Sequence, residues 1–174
     1  VCIVASRSFN LQESCDLLSS KLGVPVSLVE VDGLTQGPAI TAKLGLDELD
    51  SDIPVVFANS DQFIDFKVED WLEDSEFRSL DGSILVMRDS GAKWSYVRLG
   101  ESEQVLEVKE KEVISNLATC GVYLFKNPGD FYSALERAVT AVETVNGEYY
   151  VGPLFNSLVL GGKNIGIFDL GPVS

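Results

Sequence analysis

The sequence predicts an α/β fold, and three observations lead to that prediction. Short apolar runs at residues 1–5, 24–31 and 54–58 have the composition of strands buried in a sheet. The segments between them are typical of helices, so the order is strand, helix, strand, helix, strand, which predicts parallel βαβ units. A length of 174 residues with 45% hydrophobic and 23% charged residues indicates one globular domain with a real core.

The two helices of the first half have start and stop signals. Asn10 is placed to cap the first helix, with Glu13 three residues on as in a capping box, and Gly23 is placed to end it. The second helix is predicted to begin at Pro38, which suits a first helical position. Helical spacing gives the first helix an apolar side made of Leu11, Cys15, Leu18 and Leu22.

The second half of the chain has a different pattern. Strand-like segments follow one another with short polar links, which predicts antiparallel or mixed pairing. These segments are residues 82–88, 94–98, 104–109 and 118–125. Helices are predicted at 131–145 and 150–160, and a last short strand at 164–169. No repeat, low-complexity tract or linker interrupts the sequence, so residues 1–174 are predicted to form a single domain.

The charge balance excludes several classes of function. The chain has 13 Lys and Arg, 27 Asp and Glu and no histidine, for a net charge of −14. This acidity argues against a nucleic-acid binder and against a polybasic module for membrane surfaces. The absence of histidine excludes a Ser-His-Asp or Cys-His triad and any His-ligated zinc site in this sequence. Any chemistry must therefore use carboxylates, Lys or Arg, hydroxyls, amides or a hard metal ion.

The cysteines and the apolar runs suggest a compartment. Cys2, Cys15 and Cys120 are scattered and odd in number, which is typical of reduced thiols in a cytoplasmic protein. No apolar run reaches the roughly 18 residues that a membrane-spanning helix needs, and no signal peptide is visible. The sequence begins without Met, inside an apolar run. We therefore expect that upstream sequence is missing.

Two aspartates follow apolar strands. Asp61 lies in the polar run 58–62 (ANSDQ), after a predicted strand and at the carboxyl end where open α/β sheets bind ligands. Asp169 follows the apolar residues 165–168. Each could be an ordinary turn residue, because Asn, Ser and Asp favour turns. If the two strand ends are neighbours, however, the two carboxylates could share one Mg²⁺, which prefers oxygen ligands.

Three other segments have both a structural and a functional interpretation. The loop 34–39 contains Gly37 and precedes a helix, so it is either a turn or a site for anions or base edges. The charge run 109–112 is either a solvated strand edge or a phosphate contact through its lysines. Glu148, after an Asn-Gly turn signal, could cap the next helix or bind substrate hydroxyls.

Several spaced segments together resemble one family, the nucleotidyltransferases that make nucleotide-activated sugars and related phospho-compounds. The closest resemblance is to the branch found with capsule and surface-polysaccharide genes, and it covers about residues 1–172. The segments are 35–39 (TQGPA), 53–62 (IPVVFANSDQ), 93–97 (KWSYV), 110–111 (EK) with 114–125 (ISNLATCGVYLF), 146–150 (NGEYY) and 168–172 (FDLGP). The resemblance implies a three-layer, Rossmann-like nucleotidyltransferase fold with a mixed, mostly parallel central sheet.

The resemblance also implies roles for individual residues. Asp61 and Asp169 match the two metal-binding aspartates, although the Gly-Thr that usually follows the second one is Gly171-Pro172 here. Lys111 matches a catalytic lysine that contacts the phosphate of the acceptor. The other implied substrate-binding positions are Gly37, Ala39, Asn59, Ser95, Glu110, Gly121 and Glu148. Among these, the Gly37 loop meets the nucleotide base, Glu110 meets acceptor hydroxyls, and Gly121 and Glu148 line the acceptor pocket.

The implied function is a Mg²⁺-dependent nucleotidyltransferase. It would join a nucleoside triphosphate to a phosphorylated acceptor, such as a sugar 1-phosphate or a related phospho-compound, and release pyrophosphate. Its product would be an activated precursor for surface polysaccharide. The implied setting is cytoplasmic, without nucleic-acid or membrane partners, and compatible with a homo-oligomer.

The main departure from the family is at the front of the sequence. The family opens with a strand, a Gly-rich loop of the form G-x-G-x-R and a Pro-Lys pair, which hold the triphosphate. Residues 1–5 correspond to the family's second strand, so we expect the first strand and this loop to be missing and the domain to be N-terminally incomplete. Two alternatives therefore stay open: a metal-dependent, GT-A-like glycosyltransferase, and a non-catalytic nucleotide-sugar-binding or regulatory module.

Overall fold

A computed structural model describes residues 1–49 and 52–172. Its strands are β1 (Cys2–Ser6), β2 (Ser27–Val31), β3 (Val55–Ala58), β4 (Gly82–Arg88), β5 (Ser95–Leu99), β6 (Val105–Glu110), β7 (Leu117–Phe125) and β8 (Ile165–Pro172). Its α-helices are α1 (Gln12–Leu22), α2 (Pro38–Leu49), α3 (Val68–Phe77), α4 (Pro128–Ala141) and α5 (Val151–Leu160). None of the described helices is long and apolar enough to cross a membrane.

One long strand, β7, organises the larger sheet, and all nine of its residues are buried. β4 runs antiparallel along one edge of β7, and β8 continues the sheet beyond β4 in parallel. The opposite edge of β7 is divided, because β3 pairs with residues 122–125 whereas β5 meets β7 at Ala118. The sheet therefore splits at Gly121, between these two pairings, and we call this place the fork.

The α/β class and the mixed sheet are confirmed, but the expectation of a mostly parallel sheet is wrong. Among the described strands, only β1–β2 and β4–β8 pair in parallel, and four pairings are antiparallel. The reason is that β7 runs opposite to β3, β4 and β5, which together form most of the larger sheet. β1 and β2 form a separate two-stranded sheet.

Two hydrophobic cores cover the two faces of the larger sheet, which gives the three layers that the resemblance implied. Alternate residues of β7 point to opposite faces. Phe125 faces the core made with α2, α4 and α5, where it packs edge-on against Phe131 and at 4.4 Å between ring centroids against Phe155. Leu124 faces the second core, against Trp71 of α3. Trp71 is fully buried, and its indole N–H donates to Ser83 Oγ at 2.7 Å.

The local signals of the first half are only partly realised. Gly23 ends α1 in the left-handed conformation, as predicted, and α2 begins at Pro38. Asn10 does not cap α1, because it is itself left-handed and closes a short 3-10 turn. Of the predicted apolar side of α1, Cys15 is buried but Leu22 is 59% exposed. The predicted apolar side of α1 is therefore only partly buried among the described residues.

Candidate functional site

The carboxyl ends of β3, β4 and β8 lie at one edge of the larger sheet. This follows from the pairings: β3 and β4 both run opposite to β7, and β8 is parallel to β4. Asp61 lies three residues beyond β3 and is exposed, and Asp169 lies in β8 opposite Val86 of β4. The fold therefore brings both predicted metal ligands to the same edge, although β7 and β4 separate their strands.

Asn59 and Gly121 meet at the fork. The Asn59 backbone N–H donates to the Gly121 carbonyl at 3.0 Å, just beyond the last β3–β7 pair. A Cβ on Gly121 would lie 2.3 Å from Asn59 Nδ2, and Gly121 has a φ of +69°. Any other residue here would be strained in its backbone and would displace the Asn59 side chain. Both residues were predicted to bind substrate, and the structure places them in contact, with the Asn59 residue exposed.

Asp169 is held by partners on both carboxylate oxygens. Its Oδ1 accepts the N–H of Gly171 at 2.8 Å, and its Oδ2 accepts from Arg88 Nη2 at 2.7 Å. The β4–β8 register shifts here, because one extra residue of β8 lies between the partners of Val86 and Arg88. Such bulges re-aim side chains and occur often beside active sites. Burial, followed by the nearby Asp169 charge, raises the pKa of the Cys120 thiol to about 11.

The fit of this edge to Mg²⁺ can be tested from its donor set. Mg²⁺ is usually bound by one or two carboxylates together with substrate phosphates and water, not by an all-protein cage. Residues 1–49 and 52–172 contain no group of three or more His, Cys, Asp or Glu able to hold a metal. Asp61 and Asp169 fit the one-or-two-carboxylate pattern, with Arg88 as an additional charge beside the second.

A second cluster of predicted residues lies where β6 ends. Ser95 of β5 donates a hydrogen bond to Glu110 of β6, its pairing partner across the two strands. The next residue, Lys111, has a φ of +56°, and its Nζ donates to Tyr150 Oη at 2.7 Å. The Tyr150 hydroxyl in turn donates to Glu148. Four of the predicted residues thus converge, and Tyr150 connects two of them.

Burial and neighbouring groups shift the pKa values of Lys111 and Glu110 in this cluster. The hydrogen bond from Lys111 to Tyr150, and then the nearby carboxylates of Glu110 and Glu148, raise the pKa of Lys111. Lys111 is therefore a fixed positive charge at neutral pH. Burial raises the pKa of Glu110 against the opposing effects of Ser95 and Lys111. A hollow of about 360 Å³ opens beside the cluster and is lined by Glu110, Glu148 and Tyr150, among others.

Replacing Glu110 with glutamine is expected to stabilise the protein more at pH 8 than at pH 5. The pKa of Glu110 is raised in the folded protein, so protonation of Glu110 stabilises the fold. This stabilisation is fully present below the ordinary pKa of 4.5 and is lost as pH rises through the folded-state pKa. Glutamine keeps an acceptor for Ser95 without a buried charge. Urea unfolding between pH 5 and pH 8 measures the gain, with Glu112→Gln at an exposed neighbour as control. A gain independent of pH would contradict the assignment.

Gly37 connects the predicted base loop to the segment that carries Glu148. The Tyr149 N–H donates to the Gln36 carbonyl at 2.8 Å, and the Ala39 N–H donates to the Tyr149 carbonyl at 2.9 Å. A Cβ on Gly37 would lie 2.6 Å from the Tyr149 carbonyl oxygen. Gly37 is therefore needed for close packing, and its predicted contact with a nucleotide base stays a prediction. Ala39 is fully buried in this junction.

Gly37→Ala is expected to lower the free energy of unfolding by about 2 kcal/mol or more, since it adds a clash with backbone to an unfavourable φ of +109°. Gly33→Ala is the matched control, because Gly33 also has a positive φ, +82°, but has open space around its Cβ position. Denaturant unfolding compares the two variants. Equal losses of stability would show that the Tyr149 contact is unimportant.

Solved structures share this architecture. A nucleoside-diphosphate-sugar pyrophosphorylase from Vibrio cholerae RC9 superposes with a TM-score of 0.81 at 24% identity, over 98% of this chain and 72% of that one. A protein described as a glucose-1-phosphate thymidylyltransferase from Bacillus anthracis, in complex with a sucrose, gives a TM-score of 0.76 at 18% identity, over 97% and 67%. This chain has the pyrophosphorylase fold. No protein-family model and no curated protein matches the sequence.

In this pyrophosphorylase fold, sequence patterns alone missed two residues of the site. Tyr150 belongs to the NGEYY segment, but nothing in the sequence indicated that its hydroxyl joins Lys111 to Glu148. Arg88 ends a predicted strand and looks like an ordinary edge residue. Its contact with Asp169 depends on the register of two strands that are 81 residues apart in sequence, which no local pattern encodes.

Proposed function

We propose that the chain is a nucleotidyltransferase that transfers a nucleotidyl group from a nucleoside triphosphate to a phosphorylated small-molecule acceptor. The observation that carries this proposal is the convergence of Lys111, Glu110 and Glu148 at the end of β6. A fixed ammonium between two carboxylates suits a ligand that has both a phosphate and hydroxyl groups. The pyrophosphorylase fold supports the same reaction class.

The proposed reaction is an in-line displacement. An oxygen of the acceptor phosphate attacks the α-phosphorus of the triphosphate and forms a new P–O bond. The bond from the α-phosphorus to the oxygen bridging to the β-phosphate breaks, and pyrophosphate leaves with its electron pair. Catalysis of this kind depends on positioning and on neutralising charge. The attacking phosphate is already ionised at pH 7, so the chain's lack of histidine is no obstacle.

The chain's own residues have distinct parts in this proposal. Lys111 binds the acceptor phosphate, and Tyr150 fixes the position of its ammonium. Glu110 and Glu148 accept hydrogen bonds from acceptor hydroxyls. At the fork, Asn59 reaches the space between the two substrates, beside Gly121. Gly37 lets its loop pack against Tyr149, and Ser95 holds Glu110 in place. With Ala39 they complete the proposed substrate-binding set.

Mg²⁺ is part of the proposal, with Asp61 and Asp169 as the protein ligands. When bound, the ion supplies charge neutralisation at the α-phosphate and the leaving group. We also propose that residues 1–174 belong to a single catalytic domain and that the protein is cytoplasmic, where the three free cysteines stay reduced. The products would feed surface-polysaccharide synthesis, and a homo-oligomer is compatible with this function.

Pyrophosphate release tests the proposal. The protein is incubated with each of the common nucleoside triphosphates and a panel of acceptors, sugar 1-phosphates and phosphocholine among them, with Mg²⁺ or with EDTA. We expect pyrophosphate equimolar with a nucleotide conjugate for one pair, and none with EDTA. In parallel incubations with nucleotide sugars in place of the triphosphates, consumption of a nucleotide sugar without pyrophosphate would instead indicate a glycosyltransferase. Binding of a nucleotide sugar without any turnover would indicate a non-catalytic module.

A further inference from the structure

The Arg88–Asp169 ion pair lies at the edge of the larger sheet that also carries Asp61. Arg88 Nη2 and Asp169 Oδ2 are 2.7 Å apart, and the side chains are 50% and 26% exposed. Arg88 is the last residue of β4, and its guanidinium contacts Asp169, which lies opposite Val86 in the β4–β8 register. The pair is accessible from solvent, and an ion pair of this exposure contributes little to stability.

Asp169 is the fixed member of this pair and Arg88 the free one. The Asp169 carboxylate is held by the Gly171 N–H at 2.8 Å, inside a bulged strand with a left-handed residue, Gly171, at φ +82°. Among residues 1–49 and 52–172, Asp169 is the one hydrogen-bond and ion-pair partner of the Arg88 side chain. Its half-exposed side chain can therefore swing away, while the carboxylate stays where it is.

A guanidinium at 2.7 Å competes directly with a divalent cation for the same carboxylate oxygen. Both cannot be accommodated without strong repulsion between their charges. A guanidinium released from a carboxylate also has a preferred alternative partner, because its planar fork matches the oxygens of a phosphate group. The substrates proposed above bring such phosphates to this edge.

We propose that Arg88 is a phosphate-binding residue that neutralises Asp169 in the resting protein and exchanges that carboxylate for a substrate phosphate when a divalent cation binds. This inference rests on the proposed function for the identity of the phosphate. The exchange keeps the edge electrically balanced in both states. The exchange also couples the two binding events positively. The cation takes Asp169 from Arg88 and so frees Arg88 for the phosphate, and the phosphate takes Arg88 from Asp169 and so frees Asp169 for the cation.

The first test measures Mn²⁺ binding to the full chain by electron paramagnetic resonance, without nucleotide or acceptor. Arg88→Met is expected to bind Mn²⁺ about fivefold more tightly than the wild type, because the competing charge is gone. Arg98→Met is the matched control: Arg98 Nη2 lies 2.7 Å from Glu107 and its side chain is 49% exposed, in a pair on β5 and β6. Arg98→Met is expected to leave Mn²⁺ affinity unchanged.

The second test uses tripolyphosphate as the probe in the presence of saturating Mn²⁺. Arg88→Met is expected to bind it about tenfold more weakly. Arg88→Lys is expected to keep the resting Mn²⁺ affinity of the wild type, since the charge remains, but to recover tripolyphosphate binding only in part, since the fork is lost. An ion pair without a phosphate role would raise the Mn²⁺ affinity of Arg88→Met but leave tripolyphosphate binding unchanged, and that result would overturn the exchange.

Several results would overturn the exchange. These are an Arg88→Met affinity for Mn²⁺ equal to or below that of the wild type, an equal gain in Arg98→Met, and a gain that persists in an Asp169→Asn background. Undetectable Mn²⁺ binding in both proteins would overturn it as well. These binding measurements need no turnover, so their failure is distinct from a failure of pyrophosphate release.

Discussion

Asp61→Asn is expected to lower turnover in the Mg²⁺-dependent pyrophosphate assay by about 100-fold or more. Asparagine keeps the shape of the side chain but removes the negative charge that binds the cation, and metal stabilisation of charge in a transition state is worth several kcal/mol. Asp61 is exposed beyond the end of β3, so the substitution leaves both hydrophobic cores intact.

The comparison variant for Asp61 is Asp65→Asn. Asp65 is also an exposed carboxylate in the same connecting segment between β3 and α3, four residues on. Asp65→Asn removes the same charge from a protein of net charge −14, and this variant is expected to keep near-normal turnover. If Asp61→Asn also kept near-normal turnover with Mg²⁺, the metal assignment of Asp61 would be wrong.

Lys111→Met is expected to lower kcat/KM for the acceptor by about 100-fold while leaving KM for the triphosphate unchanged. The ammonium is the fixed positive charge of the cluster at the end of β6, and charge-assisted bonds to phosphate are among the strongest in proteins. Methionine keeps most of the length of the side chain against the Tyr150 ring, which the Lys111 Nζ overlies at 4.9 Å.

Two companion variants separate the acceptor role of Lys111 from a general loss of charge. Lys109→Met removes a lysine two residues earlier, whose Nζ pairs with Glu107 at 3.4 Å, and is expected to change acceptor kinetics little. Tyr150→Phe removes the hydroxyl that orients Lys111 but keeps the charge, so a smaller loss of about tenfold is expected. Equal effects of Lys111→Met and Lys109→Met would contradict the assignment.

Much of the fold was predictable because its signals are local. Gly82–Arg88 was predicted to the residue, and Gly23 and Pro38 gave the end of α1 and the start of α2 correctly. Helix α3 was missed, because it is largely acidic and polar and buries only Trp71 and Ser75. A helix with so few buried positions has little apolar periodicity to detect.

The pairing of strands was less predictable than their positions. The alternation of the first half favours parallel units, and the short polar links of the second half correctly predict antiparallel pairing among β4, β5, β6 and β7. No local pattern predicts that β3 also pairs antiparallel with β7. The same limit applies to the site. Ser95 and Glu110 could be predicted as substrate-binding residues from their motifs. The contact of Arg88 with Asp169 depends on the β4–β8 register, and the contact of Tyr150 with Lys111 follows the left-handed turn at Lys111.

The dependence of the larger sheet on β7 has a consequence for the order in which the chain can fold during synthesis. β3, β4 and β5 all precede β7, and about sixty residues separate the end of β3 from its pairing partner. At a synthesis rate of about 5–20 residues per second, β3 therefore remains without its pairing strand for several seconds. The β1–β2 unit has no such wait, because its two strands and the intervening helix emerge together. The nascent chain therefore exposes the edges of β3 and β5 until β7 has emerged from the ribosome, and one edge of β4 stays unpaired until β8 follows. Unpaired edges of this kind are where a chain is prone to aggregate during synthesis.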